Sequence, residues 1–232
     1  MIKMENTGVF PIFPLPIVQF PGALTPLHIF EPRYRKMLED ILSGDKTFGI
    51  LLRGEEEVTT PASFSEGNVG CLVEVAVVQQ LPDGRSNILC VGGSRFRLVR
   101  FVDGEEPYDQ AEVELFDDDV TFEDLSTEAE LTRALFARLL RANRQLKGDR
   151  EQIPEELPEI PDDPQALSFV VASYLELNFN QKQRWLELTD TRQRLREINQ
   201  LLEPLVDDQE KQARVSRIAK TNGHAGKVPR FD

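Results

Sequence analysis

Catalysis and metal binding draw mainly on histidine, cysteine and grouped carboxylates, and in this chain the first two are scarce. The 232 residues include 2 histidines and 2 cysteines. His28 lies in the patterned part of the chain, His224 near its C-terminus. A general base must reach a nucleophile or substrate, and a metal needs three or four convergent ligands. One histidine supplies neither, so His28 is expected to be a packed or hydrogen-bonded structural residue. Cys71 and Cys90 both sit inside apolar, strand-like runs. They read as two reduced, buried thiols, with a disulfide or metal pair as the alternative. The acidic clusters at Glu55, Glu56 and Glu57 and at Asp117, Asp118 and Asp119 lack the alternating oxygens and glycine turn of a calcium loop. No catalytic residue, metal or cofactor is expected.

The polar groups suggest recognition at most. Glu31 and Arg33 begin a helix, as a recognition pair or as a local ion pair with the carboxylate at the favoured helix end. Arg95 and Arg97 flank Phe96 in a strand and so share the face opposite it. They could clasp a carboxylate or phosphate, but pairing across strands with Glu74 or Glu112 is the simpler expectation. Gly92-Gly93 suits a bulge or strand exit better than a phosphate cradle. Arg133, Arg138, Arg141, Arg144 and Lys147 form a basic helix edge, either solvated or open to an acidic partner segment. Trp185 is expected in the core of a helical bundle.

One apolar surplus is harder to hide. Phe10, Ile12, Phe13, Ile17, Val18 and Phe20, followed closely by Leu24, Leu27 and Ile29, exceed what one strand can bury. Core packing accounts for each residue singly. Together, Phe10, Phe13, Ile17, Phe20 and Leu24 are the candidates for an exposed patch that binds unstructured polypeptide.

These residues must be positioned by short strands first and helices second. Residues 10–16 are apolar and limited by proline, which predicts an entering or edge strand. Pro21-Gly22 suits a type II turn within a loop over 20–27. Pro32 fits the first position of a helix whose Tyr34, Met37, Leu38 and Ile41 recur at helical spacing up to Gly44. Strand patterns follow at 48–52, 70–80, 86–92, 96–101 and 111–116, with Asp83-Gly84 as a hairpin turn. From Thr127 and Glu130, a capping-box pair, helical spacing runs to about Lys147. Residues 149–164 hold four prolines among acids and predict a stiff loop. Helices are expected over 166–177, 182–188 and from about 191 to 205. The fold class is therefore α+β: a β-rich pseudo-barrel over 9–120, a C-terminal α-helical bundle over 121–205, and a flexible tail over 206–232.

Charge narrows the partners. The net charge is −13, and residues 1–120 alone carry 10 basic and 20 acidic groups. Such a body repels phosphate backbones, so nucleic acid and anionic membrane are disfavoured. No run approaches the ~18 apolar residues of a membrane span, and the polar, proline-broken N-terminus does not resemble a signal peptide, which points to the cytoplasm.

Phe13-Pro-Leu-Pro-Ile-Val-Gln-Phe-Pro-Gly-Ala-Leu-Thr-Pro-Leu-His-Ile-Phe-Glu-Pro-Arg-Tyr resembles the opening motif of the N-terminal, substrate-binding domain of Lon-type ATP-dependent proteases. Phe48-Gly-Ile, Gly70-Cys-Leu-Val-Glu-Val, Asp83-Gly-Arg, Gly92-Gly-Ser-Arg-Phe-Arg-Leu and Tyr108-Asp-Gln-Ala-Glu-Val-Glu continue it in order, and Lys182-Gln183, Leu186-Glu187, Asp190 and Arg194-Leu195 extend it through the helices. The resemblance covers about 9–204. It implies a PUA-like β-fold followed by a helical bundle, without catalysis of its own, contributing to substrate recognition and protease assembly. Gly223-His-Ala-Gly226-Lys227 has the wrong spacing for a nucleotide-binding loop and is followed by Val228; the resemblance includes no peptidase module. The expected function is binding of unfolded or tagged polypeptide, as an adaptor to an ATP-dependent protease or as a chaperone-like factor. The alternatives are an RNA-binding PUA-like protein and a fixed structural subunit of a larger assembly.

Overall fold

The structure, a computed structural model, describes residues 6–54, 60–147 and 160–222, without the side chains of 147 and 218–222. Glu55, Glu56 and Glu57, most of the proline-rich loop, and His224 with its neighbouring glycines lie outside the described residues. In chain order the elements are β1 (Thr7–Leu15), β2 (Leu24–Ile29), α1 (Pro32–Leu42), β3 (Thr47–Leu52), β4 (Val69–Gln80), β5 (Ser86–Val102), β6 (Gln110–Phe116), α2 (Ser126–Lys147), α3 (Pro164–Tyr174), α4 (Phe179–Glu187) and α5 (Thr191–Asn222). The fold is α+β, with the sheet first and the helices second, as expected. Among the described residues, no helix is long and apolar enough to cross a membrane.

The six strands run in the order β2-β5-β4-β3-β1-β6, and a further β5–β6 pairing closes five of them into a ring. The length of β5 makes this possible. Its first half pairs with β2 and its second half with β6, while β4 lies along its other side. The sequence suggests two strands here. They are one bent strand of 17 residues, because a bulge between the Val73–Gly92 and Cys71–Arg95 pairs absorbs the bend. Gly92 lies at that bend for steric reasons: a Cβ there would stand 2.0 Å from the Phe20 carbonyl oxygen. Gly92→Ala is expected to cost about 1–3 kcal/mol in urea unfolding, the usual penalty for overpacking.

β1 is not an edge strand, despite its prolines. Residues 7–11 pair with β6 and residues 12–15 with β3. Ile12 N–H donates to Asp109 O, so by antiparallel alternation Pro11 points its nitrogen away from β6. Leu15 O accepts from Arg53 N–H, which likewise turns Pro14 away from β3. Each proline thus lacks its N–H on a side where no strand needs it.

Two apolar clusters lie on opposite faces of the sheet. In one, Tyr34, Met37, Leu38 and Ile41 of α1 pack with Phe13, Phe48, Ile50, Val73, Val75, Ile88 and Cys90. In the other, Ile12, Leu51, Leu72, Phe96, Leu98, Ala111 and Val113 fill the ring. Phe96 fits because Gly70 leaves it room; a Cβ on Gly70 would stand 2.4 Å from the ring. Cys71 and Cys90 are buried free thiols. Burial pushes both thiols and the Tyr34 phenol up to about 12. A pKa raised by folding contributes stability that is complete below the unfolded value and is lost as pH rises to the folded one. Urea midpoints are therefore expected to fall steadily from about pH 9 toward pH 12. A flat profile there would mean these groups are solvated.

Two compact units result: Met1–Thr121 with Phe169–Thr191, and Phe122–Ser168 with Arg192–Asp232. The later part of α3 and all of α4 thus belong with the sheet. Trp185, fully buried on α4, sits in the β unit rather than in a helical bundle. In the helical unit Thr132 donates to Asn199, which donates to the Glu128 carbonyl, and buried Arg194 donates to Ser168. α5 does not stop near 205. It continues through Pro204 to Asn222, because Val206 and Ala213 are buried and Arg138 of α2 binds Glu210 and Asp207. The tail expected from 206 is therefore helix as far as 222.

Candidate functional site: an exposed sheet face

Apolar side chains on β2, β5 and β4 meet on the outside of the sheet. The inward set of these strands includes Ile29, Ser86, Ile88, Cys90 and Val75, all buried. The outward set forms three cross-strand rows: Leu24–Val91–Glu74, Pro26–Leu89–Val77 and His28–Asn87–Gln79. β4 contributes Val77 only because a second bulge, between the Val75–Cys90 and Val77–Leu89 pairs, reverses its alternation. Val75 is 3% exposed, Val77 55%. Leu24 is 63% exposed and Phe30, just beyond β2, 58%.

The third row is a polar border. His28 Nδ1 and Asn87 Oδ1 are 2.7 Å apart, and Asn87 Nδ2 donates to Gln79 Oε1 at 3.2 Å. The Phe30 ring stacks on His28 at 5.9 Å. His28 is thus the hydrogen-bonded residue the sequence suggests, and it lies at the edge of the apolar face. Glu74 supplies a carboxylate at the opposite border. Such a face can take apolar side chains and offers no nucleophile. Among the described residues no group of histidine, cysteine or carboxylate side chains is arranged to hold a metal ion.

The sequence candidates divide. Phe13 and Phe20 are buried, Phe13 against Tyr34 at 3.8 Å and Phe20 against Phe169 at 6.2 Å. Phe10 and Ile17 are half-buried against the two core clusters. Of the five apolar candidates, Leu24 alone belongs to the outward face of β2, β5 and β4. Pro26, Phe30, Val77, Leu89 and Val91 complete that face and were missed. The sequence gives one clue to them: Leu24, Pro26 and His28 alternate with Thr25, Leu27 and Ile29, and a proline in such a run marks an edge strand.

The polar candidates have structural partners. Glu31 and Arg33 form a local ion pair at 3.0 Å, with Arg33 over the Tyr34 ring. Arg95 and Arg97 do share a face, both stacking on Phe116. Arg95 pairs with neither Glu74 nor Glu112. It is buried against Asp118, donates to the Leu186 and Leu188 carbonyls at 2.9 Å each, and also covers Phe169. Glu112 pairs with Arg100 instead. In the helical unit, Arg138 and Arg141 of the basic α2 edge line a recess of about 250 Å³ with Arg214, Arg217 and Glu210 of α5.

The model of the ATP-dependent protease La (LON) substrate-binding domain matches residues 9–204. The Lon protease of Syntrophus aciditrophicus is 29% identical over an alignment of 202 residues that covers 82% of this chain and 24% of that protein. The Lon protease of Dictyoglomus thermophilum is 30% identical over 200 residues, with 84% and 24% covered. The chain thus spans about a quarter of the length of these curated relatives. Among solved structures, a Lon N-terminal domain protein from Xanthomonas campestris superposes with a TM-score of 0.60 at 23% identity, over 82% of this chain and 96% of that one. The N-terminal domain of the Mycobacterium avium complex Lon protease gives 0.59 at 18% identity, over 84% and 98%.

Proposed function

Because the chain belongs to the LON substrate-binding domain family, we propose that it is a non-catalytic polypeptide-binding module whose outer face on β2, β5 and β4 receives apolar side chains of unfolded or tagged segments. The observation that supports this most is the pair of solvent-exposed apolar rows bounded by Glu74 and the His28–Asn87–Gln79 network. Apolar area left in water is available to a client, and its burial is worth roughly 25 cal/mol per Å². The polar border limits the patch and supplies hydrogen-bonding groups at its rim. The surplus of acid in residues 1–120 favours basic clients and keeps the loaded module soluble. In the cell it would deliver such segments to an ATP-dependent protease or hold them as a chaperone does.

Fluorescence anisotropy with labelled, reduced and carboxymethylated α-lactalbumin tests this reading, with folded α-lactalbumin and a single-stranded RNA alongside at two salt concentrations. Selective binding of the unfolded chain, little changed by salt, is expected. Binding of RNA with a steep salt dependence would replace the reading with nucleic-acid recognition. Failure to bind all three would replace it with a dedicated structural partner.

A further inference from the structure

β2 pairs with β5 on one side, and among the described residues nothing pairs with its other side. The hydrogen-bond phase of the pair is set at its start, where Gly92 N–H donates to Ala23 O. Leu24 stands opposite Val91, so Ala23 stands opposite Gly92. Antiparallel alternation then turns the backbone groups of Thr25, Leu27 and Ile29 toward β5. It turns those of Leu24, Pro26 and His28 away from it. Two amide donors, on Leu24 and His28, and three carbonyl acceptors therefore line the open edge. Pro26 lacks only the middle donor, which weakens the edge without closing it.

We propose that this edge captures an extended client segment by strand addition, a mechanism that rests on the polypeptide-binding reading above. The chemistry that fits the edge is the backbone of another strand. An added strand would continue the β5–β2 ladder, and its outward side chains would extend the rows begun by Leu24 and Pro26. Backbone bonding supplies affinity that does not depend on client sequence, and the apolar rows supply selection for alternating apolar residues. The preferred client is thus an extended, proline-free stretch of about five residues, with apolar side chains at every second position.

The test uses the full chain, ¹⁵N-labelled, and the capped peptide Lys-Val-Thr-Val-Lys-Val-Thr-Val-Lys. Hydrogen exchange of the Leu24 and His28 amides is expected to slow at least tenfold in the complex. Two variants of the peptide, N-methylated on all valines or on all lysines and threonines, should separate by at least tenfold in affinity. Valine methylation blocks an antiparallel added strand whose valines face outward; methylation of the other set blocks a parallel one. If the parent peptide binds and both amides exchange as fast as in the free protein, strand addition is overturned while polypeptide binding stands. If the parent peptide fails to bind and carboxymethylated α-lactalbumin binds, strand addition is again the part that fails. If neither binds, the functional reading falls first.

Discussion

Arg95→Met is expected to lower the unfolding free energy by about 3–5 kcal/mol, the range for removing one partner of a buried ion pair. The substitution keeps most of the apolar stem. It removes the guanidinium that pairs with the Asp118 carboxylate, 4% exposed, and the donor that bonds the Leu186 and Leu188 carbonyls. It also removes the cation stacked between Phe116 and Phe169. Thr191 still donates to Asp118. In the double variant Arg95→Met/Asp118→Asn the buried charge that Arg95 balanced is gone as well, so part of the lost stability should return. Urea denaturation of the three proteins measures this directly. A loss below about 1 kcal/mol in the single variant would mean that water reaches Asp118 and the pair is effectively a surface one. Arg95 anchors the α4–α5 junction to β5, so the single variant should also be cut by protease near residues 186–190 well before global unfolding.

The second large effect is on binding. Leu24→Ser/Val77→Ser is expected to weaken binding of an unfolded chain by tenfold to a hundredfold. Burying a large aliphatic side chain is worth about 1.5–3 kcal/mol, and these two are only partly covered in any complex. Both are more than half exposed in the free protein, so stability should change by no more than about 0.5 kcal/mol. Anisotropy titration with carboxymethylated α-lactalbumin, beside a urea melt, separates the two quantities. Unchanged affinity in a folded double variant would remove this face from the proposal. Phe13→Asp and Phe20→Asp are poorer probes, since both rings are buried and a carboxylate there would unfold the domain.

Much of the fold is legible locally. Helix α1 announces itself through Pro32 at its first position and four inward residues at helical spacing, all of which are buried. The turns at Pro21-Gly22 and Asp83-Gly84 follow from glycines that take positive φ, here +73° and +81°. The two arginines around Phe96 share a face because strand geometry has period two. The opening motif and its ordered continuations place the chain in its family without a structure.

Long-range pairing decided the rest. β2 looks like a loop because Pro21, Gly22 and Pro26 crowd its neighbourhood; it becomes a strand only through the first half of β5. Strand periodicity points Arg95 to Glu74 or Glu112, but its partner, Asp118, lies beyond the end of β6, where strand register says nothing. The candidate face shows the difference most clearly. By simple alternation Val75 and Val77 should point the same way, yet a single inserted residue buries one and exposes the other. Composition and periodicity determined that this chain would be an acidic α+β protein with surplus apolar residues near its start. Which of those residues would meet water was set by bulge and register, and these depend on contacts between strands far apart in sequence, not on any window along it.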